Sequence, residues 1–366
     1  MKSARQKVLF LMPTLGGGGA ERVTVTLLRH LDRSRFEPHL GLIQAVGPYL
    51  EGVPSDVIVH DLKAHRVRYA LASIIRLVRR LRPRVVHSAM VELNIATVLC
   101  RPFFPPQTKV LIREETSTTA HNVQRARNTA LWSFLYGLYG KADKVICVAD
   151  YVLEELACNY GVARGKLVRI YNPVDVAEVR SLAEAGGSPY SGEGPHLVAA
   201  GRLSPEKGFD ILLDAMALLR IALPHSQLTI LGEGECRAEL LAQRDRLGLA
   251  EAVHLPGFQP NPFPYFKHAA LFVLPSRFEG FGLVVIEALA AGTAVVASDC
   301  PGPLREILGS CTQARLVPPG DPQELAGAIV SALDRGRRDG QANESLDAFL
   351  SRFDVKTVMP DYEELL

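Results

Sequence analysis

The stretch RFEGFGLVVIEALAAG (277–292) carries two acids, Glu279 and Glu287, with seven residues between them. The first sits in a short aromatic-glycine loop, the second inside an apolar run of helical character. Eight helical positions cover about 800°, so acids so spaced point to nearly the same side. The neighbours of Glu287 (Val284, Val285, Ile286, Ala288, Leu289) leave it little polar face. A carboxylate in such surroundings needs donors, and a vicinal diol supplies two. Glu279, on the loop, is placed to accept hydrogen bonds from further hydroxyls. The plainer alternative is a capped helix with two surface acids.

Cations of matching use lie upstream in GRLSPEKGFD (201–210). Arg202 follows an expected strand end, and Lys207 comes five positions later, before Gly208 and a helix. Two fixed cations at the carboxyl edge of a sheet suit a diphosphate, the arginine as a fork and the lysine as a point charge. Glycine-rich strand-to-helix turns recur at GGGGAERV (16–23), LGEGE (231–235) and HLPGF (254–258). In such turns backbone amides approach a ligand closely, and the helix N-terminus favours an anion. Gly18 and Gly19 are the candidates in the first half, and Gly201, Gly232, Glu233, Gly257 and Phe258 in the second. Taken singly, each turn is equally well explained as a bend of the chain. None has the spacing G-x-G-x-x-G, and no convincing acid closes the second strand, so a nicotinamide dehydrogenase ranks last.

These residues need strands and helices to hold them. KVLFLM, HLGLIQAV, VVHS, KVLIRE and KVICVA read as strands in the first half, and HLVAAGR, QLTILGEG, AVHLPGF, LFVLPS and AVVASD in the second. Between them run helix-period segments such as ERVTVTLLRHL, SIIRLVRRL, FDILLDAMALLRIAL and AELLAQRDRLG. Continuous apolar strands alternating with helices imply α/β architecture, with parallel sheets covered on both faces. The pattern restarts after the hydrophilic stretch AEAGGSPYSGEGP (183–195), the best linker. Two doubly wound domains are therefore expected, over 1–185 and 194–345. The tail from 346 to 366 reads as amphipathic helix that packs back across the junction. Ligands of such sheets bind at carboxyl strand ends, so the cleft between domains is the expected site.

Composition is that of a globular protein, with 48% hydrophobic and 22% charged residues among 366. The net charge is only +2, but it is unevenly spread. Residues 1–172 hold 25 Lys and Arg against 13 Asp and Glu, and the remainder 16 against 26. The first half therefore faces an anionic partner, phosphates or a membrane surface. Six cysteines form no close pair and no zinc spacing, which reads as reduced cysteine in a cytoplasmic protein. The run VLFLM before Pro13 is too short for a signal peptide, and no apolar stretch reaches the roughly 20 residues that span a bilayer.

In order, GGGGAE, YNPVD (171–175), GRLSPEKG, LGEGE, the Glu279–Glu287 pair and PGPLREI (301–307) resemble the motifs of the retaining glycosyltransferases of family 4, which have the two-domain GT-B fold. The likeness runs through most of the chain and is strongest over 197–307. It implies that Arg202 and Lys207 hold a donor diphosphate and Glu287 the ribose. Glu279, with the backbone of Gly280, Phe281, Gly282 and Leu283, would hold the transferred sugar, and Pro301, Gly302 and Glu306 would border the donor. The implied donors are nucleoside-diphosphate sugars, most often UDP-linked. Many relatives carry a histidine after the N-terminal-domain strand that faces the sugar. Here LIREETSTTAHN (111–122) puts Arg113, Glu114 and Glu115 there. That resembles the subset with an Arg-Glu element, which acts on polyprenol-linked saccharides. Glu115 is the candidate catalytic group, with Glu114, His121 and His87 (at the end of VVHS) as alternatives for the residue facing the sugar; His87 serves equally as a core histidine.

The implied chemistry is retaining transfer in which the diphosphate leaving group takes the acceptor's proton. Charge develops on the phosphates, so Arg202 and Lys207 act in the transition state more than in the ground state. No Asp-x-Asp motif occurs, and two cations replace a divalent ion, so neither a metal nor another cofactor is expected. On the acceptor side, KAHRVRYALASIIRLVRRLRPR (63–84) holds eight Lys or Arg and no acid. Ala70, Ile74, Leu77, Val78 and Leu81 recur at helical spacing, with Arg66, Arg68, Arg76, Arg79 and Arg80 around them. Such a helix suits an anionic membrane surface or a lipid diphosphate. The segment RNTALWSFLYGLYGK (127–141) adds apolar and aromatic mass, or is simply a buried helix. Nucleic acid is not an expected partner. The expected protein is a glycosyltransferase of polysaccharide biosynthesis, cytoplasmic and peripheral at the inner face of the cytoplasmic membrane. It would move a hexosyl or N-acetylhexosaminyl group to a lipid-linked saccharide. Its rivals are a nucleotide-sugar 2-epimerase, which needs no acceptor, and a binding protein that transfers nothing.

Overall fold

Strands that are apolar along their whole length are stable only where helices cover both faces of a sheet. In this computed structural model, which describes residues 5–116, 129–336 and 344–366, the apolar runs form two such sheets. Contacts divide the chain into one unit of Met1–Pro173 with Val355–Leu366 and another of Val174–Asp354. The boundary lies ahead of the hydrophilic 183–195 stretch. That stretch belongs to the second unit, where the preceding helix, Val176–Glu184, packs on helices Phe263–His268 and Leu283–Ala290.

The first unit is a seven-stranded parallel sheet: β1 (Gln6–Met12), β2 (Phe36–Leu42), β3 (Ile58–Asp61), β4 (Val85–Ala89), β5 (Lys109–Glu114), β6 (Lys144–Cys147) and β7 (Leu167–Arg169). Their order, β3-β2-β1-β4-β5-β6-β7, reverses direction between β1 and β4. At such a switch point the loops leaving the two strands diverge and open a crevice at their carboxyl ends. The glycine loop follows β1, and helix Gly19–His30 starts from it. After β4, Met90 has φ 73°, a conformation that costs a residue with a Cβ about 1–3 kcal/mol and clusters at functional sites.

The second unit is a six-stranded parallel sheet: β8 (His196–Ala200), β9 (Gln227–Leu231), β10 (Val253–Gly257), β11 (Leu271–Leu274), β12 (Val295–Ser298) and β13 (Ala314–Val317). Its order, β10-β9-β8-β11-β12-β13, puts the switch point between β8 and β11. Alternate residues serve the two faces. Leu197, Ala199, Leu228, Ile230, Leu271 and Val273 join a core with helices Phe209–Ala222 and Pro322–Gly336. Phe272 turns the other way, 5.1 Å from the Phe266 ring.

Three differences from the sequence reading have physical causes. The strands it missed, β3, β7 and β13, are short edge strands with few buried residues. The tail is two helices, Glu344–Ser351 and Val355–Leu365, rather than one. Between them buried Phe353 turns its carbonyl to the Val174 amide at 2.8 Å, so a tertiary contact interrupts the helical period. Helix Thr129–Gly137 is buried along one side only: Tyr136 is inside, whereas Leu131 and Phe134 are exposed. The six cysteines are free thiols, and among the described residues no helix is long and apolar enough to cross a membrane.

Candidate functional site

Lys207 and Glu279, 72 positions apart in sequence, meet at the switch point of the second sheet. The Lys207 Nζ donates to Glu279 Oε1 at 2.6 Å, and the Ser276 hydroxyl donates to the same oxygen at 2.6 Å. The loop carrying Lys207 leaves β8, and that carrying Glu279 leaves β11. What fastens them is backbone. Gly208 has φ 63°, and a Cβ on it would lie 2.2 Å from the Pro275 carbonyl oxygen, so only glycine lets the loops touch. The Arg277 amide donates to the Glu206 carbonyl at 2.8 Å, and its guanidinium forks onto Asp210 at 2.8 and 2.6 Å. That fork holds the Asp210 carboxyl below its ordinary pKa.

Glu279 is 4% exposed, as is Glu287, which excludes two solvent-facing acids. Glu279 sits in the loop and Glu287 in helix Leu283–Ala290, with Gly282 at the N-cap and Phe281 buried. On the far side, the Glu279 amide donates to the Pro301 carbonyl at 3.2 Å. Gly302, at φ 132°, would place a Cβ 2.2 Å from the Glu279 carbonyl oxygen. Gly302→Ala is therefore expected to displace the Glu279 loop and destabilise the protein by about 2–4 kcal/mol, the sum of a strained φ and a backbone clash. Thermal melting checks it; an unshifted midpoint would mean that the contact is dispensable. Glu306 lies just beyond, in helix Leu304–Leu308.

Arg202 is on the same loop as Lys207, exposed and without a side-chain partner among the described residues. The adjacent loops are laced by main-chain bonds: Gly201 to Leu231, Leu203 to Glu233 and Gly232 to Gly257, each 2.9–3.0 Å. Glu233 is half exposed and pairs with Arg237 at 3.1 Å, while Phe258 is half-buried. Ser276 is the residue here that sequence reasoning passed over, although its place at the end of LFVLPS was the available signal.

The first unit gathers a second group near its own switch point. Arg113 is fully buried, bonds to Glu115 Oε1 and reaches toward the Ala20 carbonyl at 3.5 Å. Burial works against its charge, but Glu115 and Tyr362 hold its pKa above the ordinary value. Burial pushes the Glu115 carboxyl up; Arg113 opposes that, and Glu21, just after the glycine loop, adds to it. Burial lifts Glu114 as well, to about 7. Its Oε2 accepts from the Tyr139 hydroxyl at 2.7 Å, and its Oε1 from the amides of Glu115 and Thr116 at 3.2 and 3.3 Å. His87 is 1% exposed between Phe10 and Tyr362, its pKa driven down to about 3 by burial and then by Arg113. Buried Nε and Nη1 of Arg113 and Nε2 of His87 make no hydrogen bond of ordinary geometry among the described residues, and unmet buried groups of this kind call for an explanation. Tyr139 and Tyr362 had no sequence signal, since they arrive from helical segments far along the chain. Gly18 caps helix Gly19–His30, with Gly19 exposed at its start. Arg66, Arg68, Arg76, Arg79 and Arg80 are exposed on or just before helix Leu71–Leu81. His121 lies outside the described residues.

The model of the group 1 glycosyl transferases matches residues 194–335, and that of glycosyltransferase family 4 matches residues 17–178. The chain is 31% identical to the N-acetylgalactosamine-N,N'-diacetylbacillosaminyl-diphospho-undecaprenol 4-alpha-N-acetylgalactosaminyltransferase of Campylobacter jejuni, over 83% of this chain and 84% of that one. Among solved structures it is similar to Anabaena HepE in complex with UDP-glucose, at TM-score 0.80 and 21% identity, covering 99% of both chains. The sucrose-phosphate synthase of Thermosynechococcus elongatus is similar at TM-score 0.80 and 19% identity, over 99% of this chain and 98% of that one. Those two likenesses establish the architecture, and the Campylobacter relative and the family models establish the kinship: the chain is a GT-B glycosyltransferase of family 4, group 1.

Proposed function

We propose that the protein moves a sugar, with retention and without a metal ion, from a UDP-sugar to a polyprenol-diphosphate-linked saccharide at an anionic membrane surface. The observation that carries this reading is the Lys207–Glu279–Ser276 contact at the switch point of the second sheet, with Arg202, which has no side-chain partner among the described residues, on the same loop. A diphosphate at these strand ends meets two cations, and the buried carboxylate beside them suits the hydroxyls of the attached sugar. As the glycosidic bond breaks, negative charge grows on the departing phosphate. Lys207 and Arg202 stabilise that charge in place of a divalent ion. The same phosphate oxygen takes the acceptor's proton, which delivers the new bond on the face just vacated. The acceptor assignment rests on the Campylobacter relative, whose name states an undecaprenol-linked acceptor, and on the Arg113–Glu115 element.

Membrane contact is supported by the basic helix. Arg76, Arg79 and Arg80 are exposed while Ile74, Leu77 and Val78 are buried. Exposed Tyr69 and Phe103 flank the arginines, Tyr69 beneath the Arg68 guanidinium at 4.8 Å and Phe103 accepting from Arg79 Nε at 2.8 Å. At about 1 kcal/mol per basic residue near an anionic surface, replacing Arg76, Arg79 and Arg80 together by glutamine should weaken binding to phosphatidylglycerol vesicles about 10²-fold. Sedimentation of the variant with vesicles as readily as wild type would place the membrane contact elsewhere.

Function itself is tested with UDP-N-acetylgalactosamine, UDP-N-acetylglucosamine, UDP-glucose and GDP-mannose, each given with a synthetic undecaprenyl-diphosphate saccharide and excess EDTA. Mass spectrometry reads the extended lipid, and NMR the anomeric configuration. An axial linkage from one UDP-sugar, formed in EDTA, is expected. Inversion, loss of activity in EDTA or transfer from the GDP-sugar alone would each overturn the corresponding part, and no transfer at all would overturn the reading.

A further inference from the structure

Glu114 is a carboxyl with no room for a sugar. It is 1% exposed at the end of β5, and both oxygens are engaged within the fold. One accepts from the Tyr139 hydroxyl at 2.7 Å. The other receives the Glu115 amide at 3.2 Å and both the amide and the hydroxyl of Thr116 at 3.3 Å. It therefore ties down the backbone where the chain leaves β5 and bends at Thr116. The turn fixes the direction in which Glu115 departs, and Arg113 then holds the Glu115 carboxylate from the other side. Tyr139 is itself fixed: Asn94 approaches its hydroxyl at 3.4 Å while bonding the Arg113 carbonyl at 2.8 Å, and the Ser88 hydroxyl donates to Asn94 at 2.8 Å. Side chains from β4, helix Val91–Cys100 and the segment Leu138–Lys141 thus converge on one backbone turn.

We propose that Glu114 and Tyr139 are positioning residues for Glu115, fixing the direction of its carboxylate at the carboxyl edge of the first sheet while touching no substrate themselves. This rests on the reading that the protein is a glycosyltransferase with Glu115 facing the transferred sugar. The groups that face Glu114 are Tyr139, Glu115 and, from the neighbouring strand, Cys147 with the more distant Asp150 behind it. The cysteine thiol is pushed far above its ordinary range by burial and then by Glu114, so it stays neutral and does not titrate in competition. A carboxylate grips four donors better than a carboxylic acid does, so the turn is firmest when Glu114 is ionised.

The test is made on wild type first, by turnover of UDP-N-acetylgalactosamine, UDP-N-acetylglucosamine and UDP-glucose with the synthetic undecaprenyl-diphosphate saccharide. If wild type turns none of them over, the functional reading fails and not the positioning role. With an active donor in hand, kcat, KM and UDP affinity are measured from pH 5.5 to 9 for wild type, Glu114→Gln and Tyr139→Phe. Wild-type kcat should fall on the acid side of about pH 7, where Glu114 takes up its proton. Glu114→Gln should lower kcat at pH 8 about 10- to 100-fold and abolish the acid limb, with UDP affinity unchanged within twofold. Tyr139→Phe removes a bond that favours the carboxylate, so its limb should move to higher pH. A merely structural role would lower stability in both variants and move neither limb. Full kcat in Glu114→Gln, or a Tyr139→Phe profile superimposable on wild type, overturns the proposal, and either variant decides it if the other does not fold.

Discussion

Lys207→Ala should lower transfer by about 10²–10³-fold, because it removes a cation aimed at charge that grows only in the transition state. The loss should appear in kcat and in UDP affinity together, since the lysine meets the diphosphate in both states. Structure adds a second consequence. Glu279 is 4% exposed, and with Lys207 gone only the Ser276 hydroxyl, of its side-chain donors among the described residues, still answers its carboxylate. A buried charge stripped of its ion is costly. Because the Lys207 side chain is 21% exposed, water relieves part of that cost and the stability loss should be about 3 kcal/mol or less. Calorimetric UDP binding, turnover and a denaturant midpoint measured on one preparation separate the two effects. Wild-type turnover in the variant would remove the lysine from the diphosphate site, whatever its stability.

How far this site was legible depends on where each group's partner lies. Local runs announce themselves: the strand end, Arg202, Lys207 and Gly208 lie within one loop, and Glu279 and Glu287 within one loop and helix. The ten strands read from apolar runs are mostly central ones, wrapped by helices on both faces. β3, β7 and β13 escaped because an edge strand buries too little to need an apolar run. Glu114 and Glu115 could be found but not told apart, because adjacent residues in a strand point opposite ways and no pattern says which way is inward. What separates them is Tyr139, 25 positions on, which satisfies one acid and leaves the other to Arg113. Tyr362 is a further case, since its contact with the His87–Arg113 corner depends on the tail helix packing with the first unit. Long-range contacts of this kind are the product of folding, not of local spacing.

Glu279→Ala should separate sugar use from nucleotide binding. The carboxylate has no part in holding the nucleotide itself if its role is toward the sugar hydroxyls, so UDP affinity should survive while transfer falls about 10²-fold or more. The ion pair sharpens the sign of the affinity change. In the protein without ligand, the Lys207 ammonium is already engaged by Glu279 at 2.6 Å, and a diphosphate must compete for it. Deleting the acid releases the lysine, so UDP should bind the variant as tightly as wild type or tighter. The full UDP-sugar, which loses the acid's hydrogen bonds, should gain nothing. The affinity ratio of UDP-sugar to UDP, measured by calorimetry in both proteins, is therefore the discriminating quantity, and it should fall in the variant. If UDP and UDP-sugar instead weakened by the same factor, Glu279 would act by holding Lys207 in place, and the hydroxyl contacts would have to come from another residue of the 279–283 loop. The two roles differ in chemistry: one reads the sugar, the other orients the cation that takes up the leaving group's charge.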